Sequence, residues 1–341
     1  MDMINRDIQS ILDRKDLFAP LAGTRVLVTG ATGLIGSMLI RTLKAADRND
    51  SLGMQIIGQC RSREKAEEVL GNDAKEIKLV STYDEPCDWI IHTVSPTKSM
   101  FFLEHPVETI KASVESTMKV LESATRNKAG VVYLSSMEQY GVPYKPGENM
   151  TEDKVGAIDH LNIRSSYSES KRLCECLCVS YYSEYGTDVK IARLAQTFGT
   201  GADLSDNRMP MQFARSAMEK RDIVLRTEGK SISNFVYITD AITGILMILI
   251  KGMSGQAYNV CNDKETRSVK DIADLVANEI SAGEIKVLVD IPKTNMGFAP
   301  DVSMYLNSDK LRKLGWEPEV TMAEAYQRLT AYLNESRKAT R

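Results

Sequence analysis

The chain has 341 residues, 43% of them apolar and 26% charged, with a net charge of −3. That is room for one large α/β domain plus a smaller lobe around a sizeable core. The near-neutral balance excludes a general attraction to nucleic acid or to anionic membrane, while local basic pockets stay open.

In chain order, residues 2–18 predict an amphipathic helix with Ile4, Ile8, Ile11 and Leu12 on one face, within an N-terminal extension over 1–22. No signal-peptide pattern occurs in Met1–Lys15, which is studded with charges. Arg25–Gly30 reads as a buried strand ending in glycine, followed by a helix from Leu34 to Ala45. A second strand, Gln55–Cys60, precedes a charged helix over 63–70, and further strands are expected at 76–80, 88–94 and 130–135. A helix over 106–126 lies among them, and the alternation runs to about residue 195. Such βαβ units make a parallel, doubly wound sheet.

After Arg193 the pattern loosens. A Gly-, Asp- and Asn-rich loop (199–207) leads to a helix over 209–220 and a short strand pair, 222–225 with 234–238. Ala257–Val260 returns to the sheet, and helices follow at 268–281, 308–314 and 321–336. Ile238–Ile250 is the most apolar run, but it contains Asp240 and is too short to span a bilayer. The expected architecture is α/β: a Rossmann dinucleotide-binding domain over 23–195, its sheet completed by about 236–262. A smaller C-terminal α/β substrate lobe comes from 196–235 and 263–341, at the carboxyl edge of the sheet.

The turn after the first strand, Thr29-Gly30-Ala31-Thr32-Gly33-Leu34-Ile35-Gly36, carries the chemistry of a phosphate cradle. Gly30 permits a tight turn, Gly33 lets backbone approach a pyrophosphate, and Gly36 lets helix pack on strand. The helix N-terminus then offers free N–H groups and a positive dipole end. At the end of the second strand, where an NAD-preferring site would place an acid for the ribose hydroxyls, the chain has Cys60-Arg61-Ser62-Arg63. Arg61 suits the 2′-phosphate of NADP. The alternative is a solvated charged face, since Glu64, Lys65, Glu67 and Glu68 follow. The cofactor is therefore NAD or NADP, with a lean to NADP.

Tyr167 and Lys171 sit four apart at the start of a helix and share one face. Tyrosine ionises near pH 10 and is a weak base at neutral pH; an ammonium one turn away is expected to lower its pKa. The phenolate can then take the proton of an alcohol while hydride leaves to a nicotinamide. A serine hydroxyl closes the preceding strand in Leu134-Ser135-Ser136-Met137-Glu138-Gln139-Tyr140-Gly141.

These residues in this order, with His92-Thr93-Val94-Ser95 and the closing Leu311-Arg312-Lys313-Leu314-Gly315-Trp316, resemble the extended short-chain dehydrogenase/reductase family, in its nucleotide-sugar epimerase/dehydratase branch. Within the branch, Arg164-Ser165-Ser166-Tyr167, Lys171-Arg172, Gln196-Thr197-Phe198-Gly199 and Asp206-Asn207-Arg208 are similar to segments of UDP-glucuronate decarboxylases. The resemblance implies that Ser136 holds the reacting hydroxyl, Tyr167 is the acid/base, and Lys171 binds the nicotinamide ribose and tunes Tyr167. It assigns Gly30, Thr32, Gly33, Leu34, Ile35, Gly36, Arg61, Ser95, Tyr167 and Lys171 to the cofactor, Glu138 with Ser136, Tyr167 and Lys171 to the catalytic group, and Gln196, Arg208 and Ser233 to the substrate. It also implies a homodimer through helices 106–126 and 167–185.

Three departures bear on the reaction. A 4,6-dehydratase would carry Asp-Glu after the catalytic hydroxyl residue; here Met137 replaces the Asp and Glu138 is kept. Relatives place an arginine where this chain has Ser233, and an Asn where it has Gln196. Losing that arginine removes a charge-assisted phosphate contact, so Arg208, Arg215, Lys230 or Arg226 takes over, or the substrate is not an ordinary nucleoside diphosphate sugar. A nucleotide-sugar epimerase, needing only Ser136, Tyr167, Lys171 and a recycled cofactor, is the leading reading. The alternatives are a decarboxylase or dehydratase using Glu138, an NADPH-dependent ketone reductase, and a non-catalytic dinucleotide-binding regulator. No metal site is expected: Cys174, Cys176 and Cys178 read as small buried hydrophobes, and His92 as packing beside the cofactor. The expected location is the cytoplasm.

Overall fold

Short aliphatic and β-branched runs form an all-parallel seven-stranded sheet in the computed structural model, which describes residues 2–96, 99–292 and 301–339. Its strands are β1 (Arg25–Thr29), β2 (Gln55–Gln59), β3 (Lys78–Val80), β4 (Trp89–His92), β5 (Gly130–Ser136), β6 (Val189–Leu194) and β7 (Ala257–Val260). They lie side by side as β7-β6-β5-β4-β1-β2-β3. Chain order reverses between β1 and β4, which places the ligand crevice beyond the carboxyl ends of those two strands.

The helices are α1 (Met3–Leu12), α2 (Leu34–Asp50), α3 (Arg63–Leu70), α4 (Ser99–Glu104), α5 (Pro106–Asn127), α6 (Ser166–Tyr185), α7 (Met209–Glu219), α8 (Ile238–Lys251), α9 (Val269–Leu275), α10 (Asp309–Arg312) and α11 (Met322–Ala339). α5 and α6 pack together on one face of the sheet, while α2 and α8 meet on the other. α8 is buried from Ile238 to Leu249, as an apolar-all-round helix must be. Each Ile or Leu it buries contributes about 1.5–3 kcal/mol. Asp240 in its first turn accepts the backbone N–H groups of Glu319 and Val320 at 3.2 and 3.0 Å. No helix of the described residues is long and apolar enough to cross a membrane.

The strand and helix expectations from residue 25 to 195 hold within a few residues. Three others change. The N-terminal helix stops at Leu12, and two 3₁₀ turns, Lys15–Leu17 and Ala19–Leu21, carry the chain into β1. The expected pair of 222–225 with 234–238 does not form: Ile223–Leu225 pairs with Val287–Val289, and Ile232–Tyr237 pairs with Gln196–Phe198 and Asn262–Ser268. The helix over 268–281 is α9, started by a Ser268–Asp271 capping box and continued by a π turn, Val276–Ile280. Asn262–Ser268 is polar throughout and gives no period-2 signal; it is a strand because Ile232–Tyr237 offers it a partner.

Candidate active site

The glycine turn has the geometry its sequence requires. Gly30 sits at φ 67°, and a Cβ there would lie 2.7 Å from Thr93 Oγ1. A Cβ on Gly36 would lie 2.2 Å from the Gly30 carbonyl oxygen, so helix and strand approach too closely for any side chain. Gly33, at the start of α2, would meet only the Gly30 oxygen at 3.4 Å, and its outer side is open. No side chain caps α2, which leaves its first-turn N–H groups free for an anion. Thr32 is half-buried beside this opening, while Leu34 and Ile35 anchor the helix start in the core. These residues fit a dinucleotide pyrophosphate.

Beyond β2, Cys60 is buried, and Arg61 is exposed with no acidic partner among the described residues. Arg63 is engaged with Glu67 at 3.0 Å. Ser95, on the loop after β4, lies with Oγ 3.3 Å from Ser113 Oγ. His92 is fully enclosed, its ring nitrogens 2.8 Å from Thr29 Oγ1 and 3.2 Å from Thr117 Oγ1. Burial, helped by the Lys171 charge, pushes its pKa down to about 3, so it is a neutral packing group.

β5 ends at Ser136, whose extended backbone starts the 3₁₀ turn Met137–Tyr140, with Glu138 N–H donating to Ser136 Oγ at 3.2 Å. Tyr167 and Lys171 face this strand end from the first turns of α6. The Lys171 ammonium donates to the Leu134 carbonyl at 2.7 Å and lies 5.6 Å from the Tyr167 ring centre and 5.0 Å from that of Tyr133. Burial lowers its pKa to about 8. Tyr167 is also buried, with Phe102 of α4 stacked on its ring at 4.4 Å and 6°. The expectation of a lowered Tyr167 pKa is reversed: desolvation drives the phenol above its ordinary value. The groups that pull it back are the Ser136 hydroxyl and the Arg208 charge, while Glu138 adds to the rise. Glu138 is exposed at the surface, yet the protein packed around its carboxyl raises its pKa, against the Arg164 charge and the Ser168 hydroxyl.

On the substrate side, Gln196 is exposed and pairs with Phe235. Arg208, at the start of α7, donates to Asp206 at 2.9 Å and to the Thr197 carbonyl at 3.1 Å. Ser233 Oγ points at Met137 Sδ, 3.7 Å away. Of the four cations considered as replacements for an arginine at 233, only Arg208 acts on Tyr167. Arg226 pairs with Asp290, Lys230 pairs with Glu228, and Arg215 donates to the Leu204 carbonyl and Asn207. Sequence reasoning missed Arg267. It is the direct antiparallel partner of Ser233, so the two side chains leave the same face of their sheet. Its charged neighbour Glu265 holds it at 2.9 Å. Phe102 was also missed, since a lone aromatic on a short helix carries no spacing signal. Cys174 and Cys178 are buried while Cys176 is exposed, so the three do not share one face of α6.

An open glycine turn at the switch point of a parallel sheet, with Ser136, Tyr167 and Lys171 across the crevice, defines a nicotinamide-dependent enzyme of the short-chain dehydrogenase/reductase type. The family described as NAD dependent epimerase/dehydratase matches residues 26–261, and the chain belongs to it. UDP-glucuronic acid decarboxylase 6 of Arabidopsis thaliana is 30% identical over 308 residues, covering 88% of this chain and 86% of that one. Among solved structures, an epimerase from Methanothermobacter thermautotrophicus superposes with a TM-score of 0.79 at 20% identity, over 95% of this chain and 96% of its own. UDP-glucose 4-epimerase from Thermotoga maritima gives 0.73 at 17% identity, over 92% and 99%. The last two likenesses concern the fold.

Proposed function

We propose that this protein decarboxylates a nucleoside diphosphate hexuronate by transiently oxidising a sugar hydroxyl, so that the cofactor is recycled. The observation that carries the reading is the position of Glu138 beside Ser136, near Tyr167, with the Arg164 charge acting on its carboxyl. A carboxyl that holds its proton is the donor that protonation at carbon requires. The decarboxylase similarity at 30% identity supports the same choice.

When bound, the nicotinamide supplies reversible hydride transfer at the sugar carbon. The residues that would hold it are Gly30, Thr32, Gly33, Leu34, Ile35 and Gly36 at the pyrophosphate, Arg61 at the adenosine end, and Ser95 and Lys171 at the ribose. Tyr167, acting in its phenolate form with the Lys171 ammonium one turn away, accepts the hydroxyl proton as the carbonyl forms, and Ser136 holds that oxygen. Arg164 seats the substrate carboxylate. The C–C bond to the carboxylate breaks, CO₂ leaves, and the electron pair moves onto the new carbonyl oxygen as an enolate, held by Ser136 and Tyr167. Glu138 delivers the proton to carbon, and Tyr167 returns its proton as the hydroxyl is restored. Gln196, Arg208 and Arg267 line the nucleotide-sugar side, with Arg267 supplying the phosphate charge that Ser233 lacks.

A 4-epimerase is the second reading, favoured by the complete Ser136, Tyr167 and Lys171 set and by the missing acid at Met137. The unpaired Arg61 supports NADP as the cofactor. The test is to denature the purified protein, identify the released dinucleotide, and give the intact protein UDP-glucuronate. Release of CO₂ with a UDP-pentose is the expected result. A UDP-hexuronate epimer without CO₂ would establish the epimerase instead. An empty protein that oxidises NADPH with keto substrates would overturn both.

A further inference from the structure

We infer that Asp7, on α1 and ahead of the family-matching residues 26–261, is a positioning residue for the substrate side of the cleft. This inference rests on the reading above, in which Gln196 and Arg208 line the nucleotide-sugar site.

The Asp7 carboxylate is fully buried. A buried carboxylate is tolerated only with donors arranged around it. Here three come from three separate parts of the fold. Thr200 Oγ1 donates at 2.6 Å and the Tyr237 hydroxyl at 2.7 Å, both to Oδ2, and Arg328 of α11 donates to Oδ1 at 2.8 Å. Arg328 is itself held by Glu324 at 2.6 Å, which fixes the direction of its fork.

Thr200 is the second residue of the 199–207 loop. The residue before it, Gly199, has φ 152°, and a Cβ there would lie 2.5 Å from Ile238 Cγ2, so the chain enters the loop along one path. At the far end of the loop, Arg208 reaches back to the Thr197 carbonyl, and in between the Tyr332 hydroxyl donates to the Ala202 carbonyl at 3.1 Å. The strand end bearing Gln196, the loop and the Arg208 guanidinium thus form one closed segment. Its buried pin is a carboxylate brought in by α1. Exchanging that carboxylate for an amide leaves one acceptor oxygen for three donors and sets an NH₂ against either Arg328 or the Thr200 and Tyr237 hydroxyls, which frees the segment at its root.

The experiment uses the full-length protein with its dinucleotide, in Asp7→Asn and, as a milder change that removes one donor, Thr200→Val. Hydrogen exchange is followed at amides 198–208, and UDP-glucuronate turnover is measured in parallel. The inference expects exchange there about tenfold faster, with KM raised about five- to tenfold, kcat within twofold and dinucleotide content unchanged. Unchanged exchange over 198–208 in both variants overturns it, as does faster exchange with an unaltered KM, even where the melting temperature falls. If wild-type protein turns over no nucleotide sugar, the functional reading fails by itself. The affinity for UDP, measured beside exchange, then decides the role of Asp7 by the same criteria. If Asp7→Asn does not fold, Thr200→Val alone carries the decision.

Discussion

Ser233 directs its hydroxyl at the Met137 sulfur across 3.7 Å, so two positions at which the sequence departs from the pattern that its resemblance implies touch each other. Neither brings a charge. The cation on that face is Arg267, the cross-strand partner of Ser233. Arg267→Ala is expected to weaken UDP binding about ten- to a hundredfold, the worth of one charge-assisted contact. Adding Ser233→Arg to that variant should recover most of the loss. Calorimetric titration with UDP decides it: an unaffected affinity in Arg267→Ala removes Arg267 from the phosphate site.

Tyr167 lies buried under Phe102, and its phenol is pushed up by desolvation. Tyr167→Phe is therefore expected to lower kcat by about 10²–10⁴, the usual range for a positioned acid/base, while leaving bound dinucleotide in place. Lys171 titrates near 8 in the folded protein, so its charge is lost above that pH, and kcat should fall there. A pH–rate profile that stays flat to pH 10 would show that the Lys171 charge has no part in turnover.

Gly33 and Gly36 separate binding from folding. Gly36→Ala drives a methyl to 2.2 Å from a backbone oxygen and should cost about 3 kcal/mol, at the upper end of overpacking. Gly33→Ala meets ordinary contact only and has φ −77°, so the fold should melt normally while the dinucleotide is lost. Melting curves together with the dinucleotide content of each purified variant check the pair. Full cofactor in Gly33→Ala would contradict a pyrophosphate at that turn.

Two enclosed groups give stability opposite slopes with pH. His92 is held near 3 against 6.5 when free, so the unfolded chain binds the extra proton between those values and stability rises with pH across that window. Asp240 is raised by burial to about 7 from 3.8, so the folded state binds the extra proton and stability falls as pH rises across that window. Urea midpoints at pH 4, 5.5 and 7 should show His92→Gln losing the rise and Asp240→Asn losing the fall. Variants with the wild-type slope would mean that these groups titrate alike folded and unfolded.

Most of the nucleotide half was readable because its signals are local. Arg25–Thr29 is a run with one strand periodicity, the glycines are three apart, and Tyr167 and Lys171 are one helical turn apart. Asn262–Ser268 was unreadable for the opposite reason, since a polar strand is held by its neighbour and not by its own pattern. With it went the register that sets Arg267 opposite Ser233. The 222–225 segment read correctly as a strand but took Val287–Val289 as its partner, because pairing is a choice among distant edges.

The sequence by itself determined the fold class, the glycine turn and the Ser136, Tyr167 and Lys171 group, because each is assembled from local patterns: alternating strand and helix runs, glycines three apart, a serine at a strand end, and a Tyr and Lys one helical turn apart. The tertiary structure alone decided that Phe102 covers Tyr167, that Asp7 accepts from Thr200 and that the Tyr167 phenol is raised and not lowered. Contact between residues 321 positions apart, as between Asp7 and Arg328, follows from packing of whole elements. Desolvation follows from everything that surrounds a group, and neither is written in local spacing.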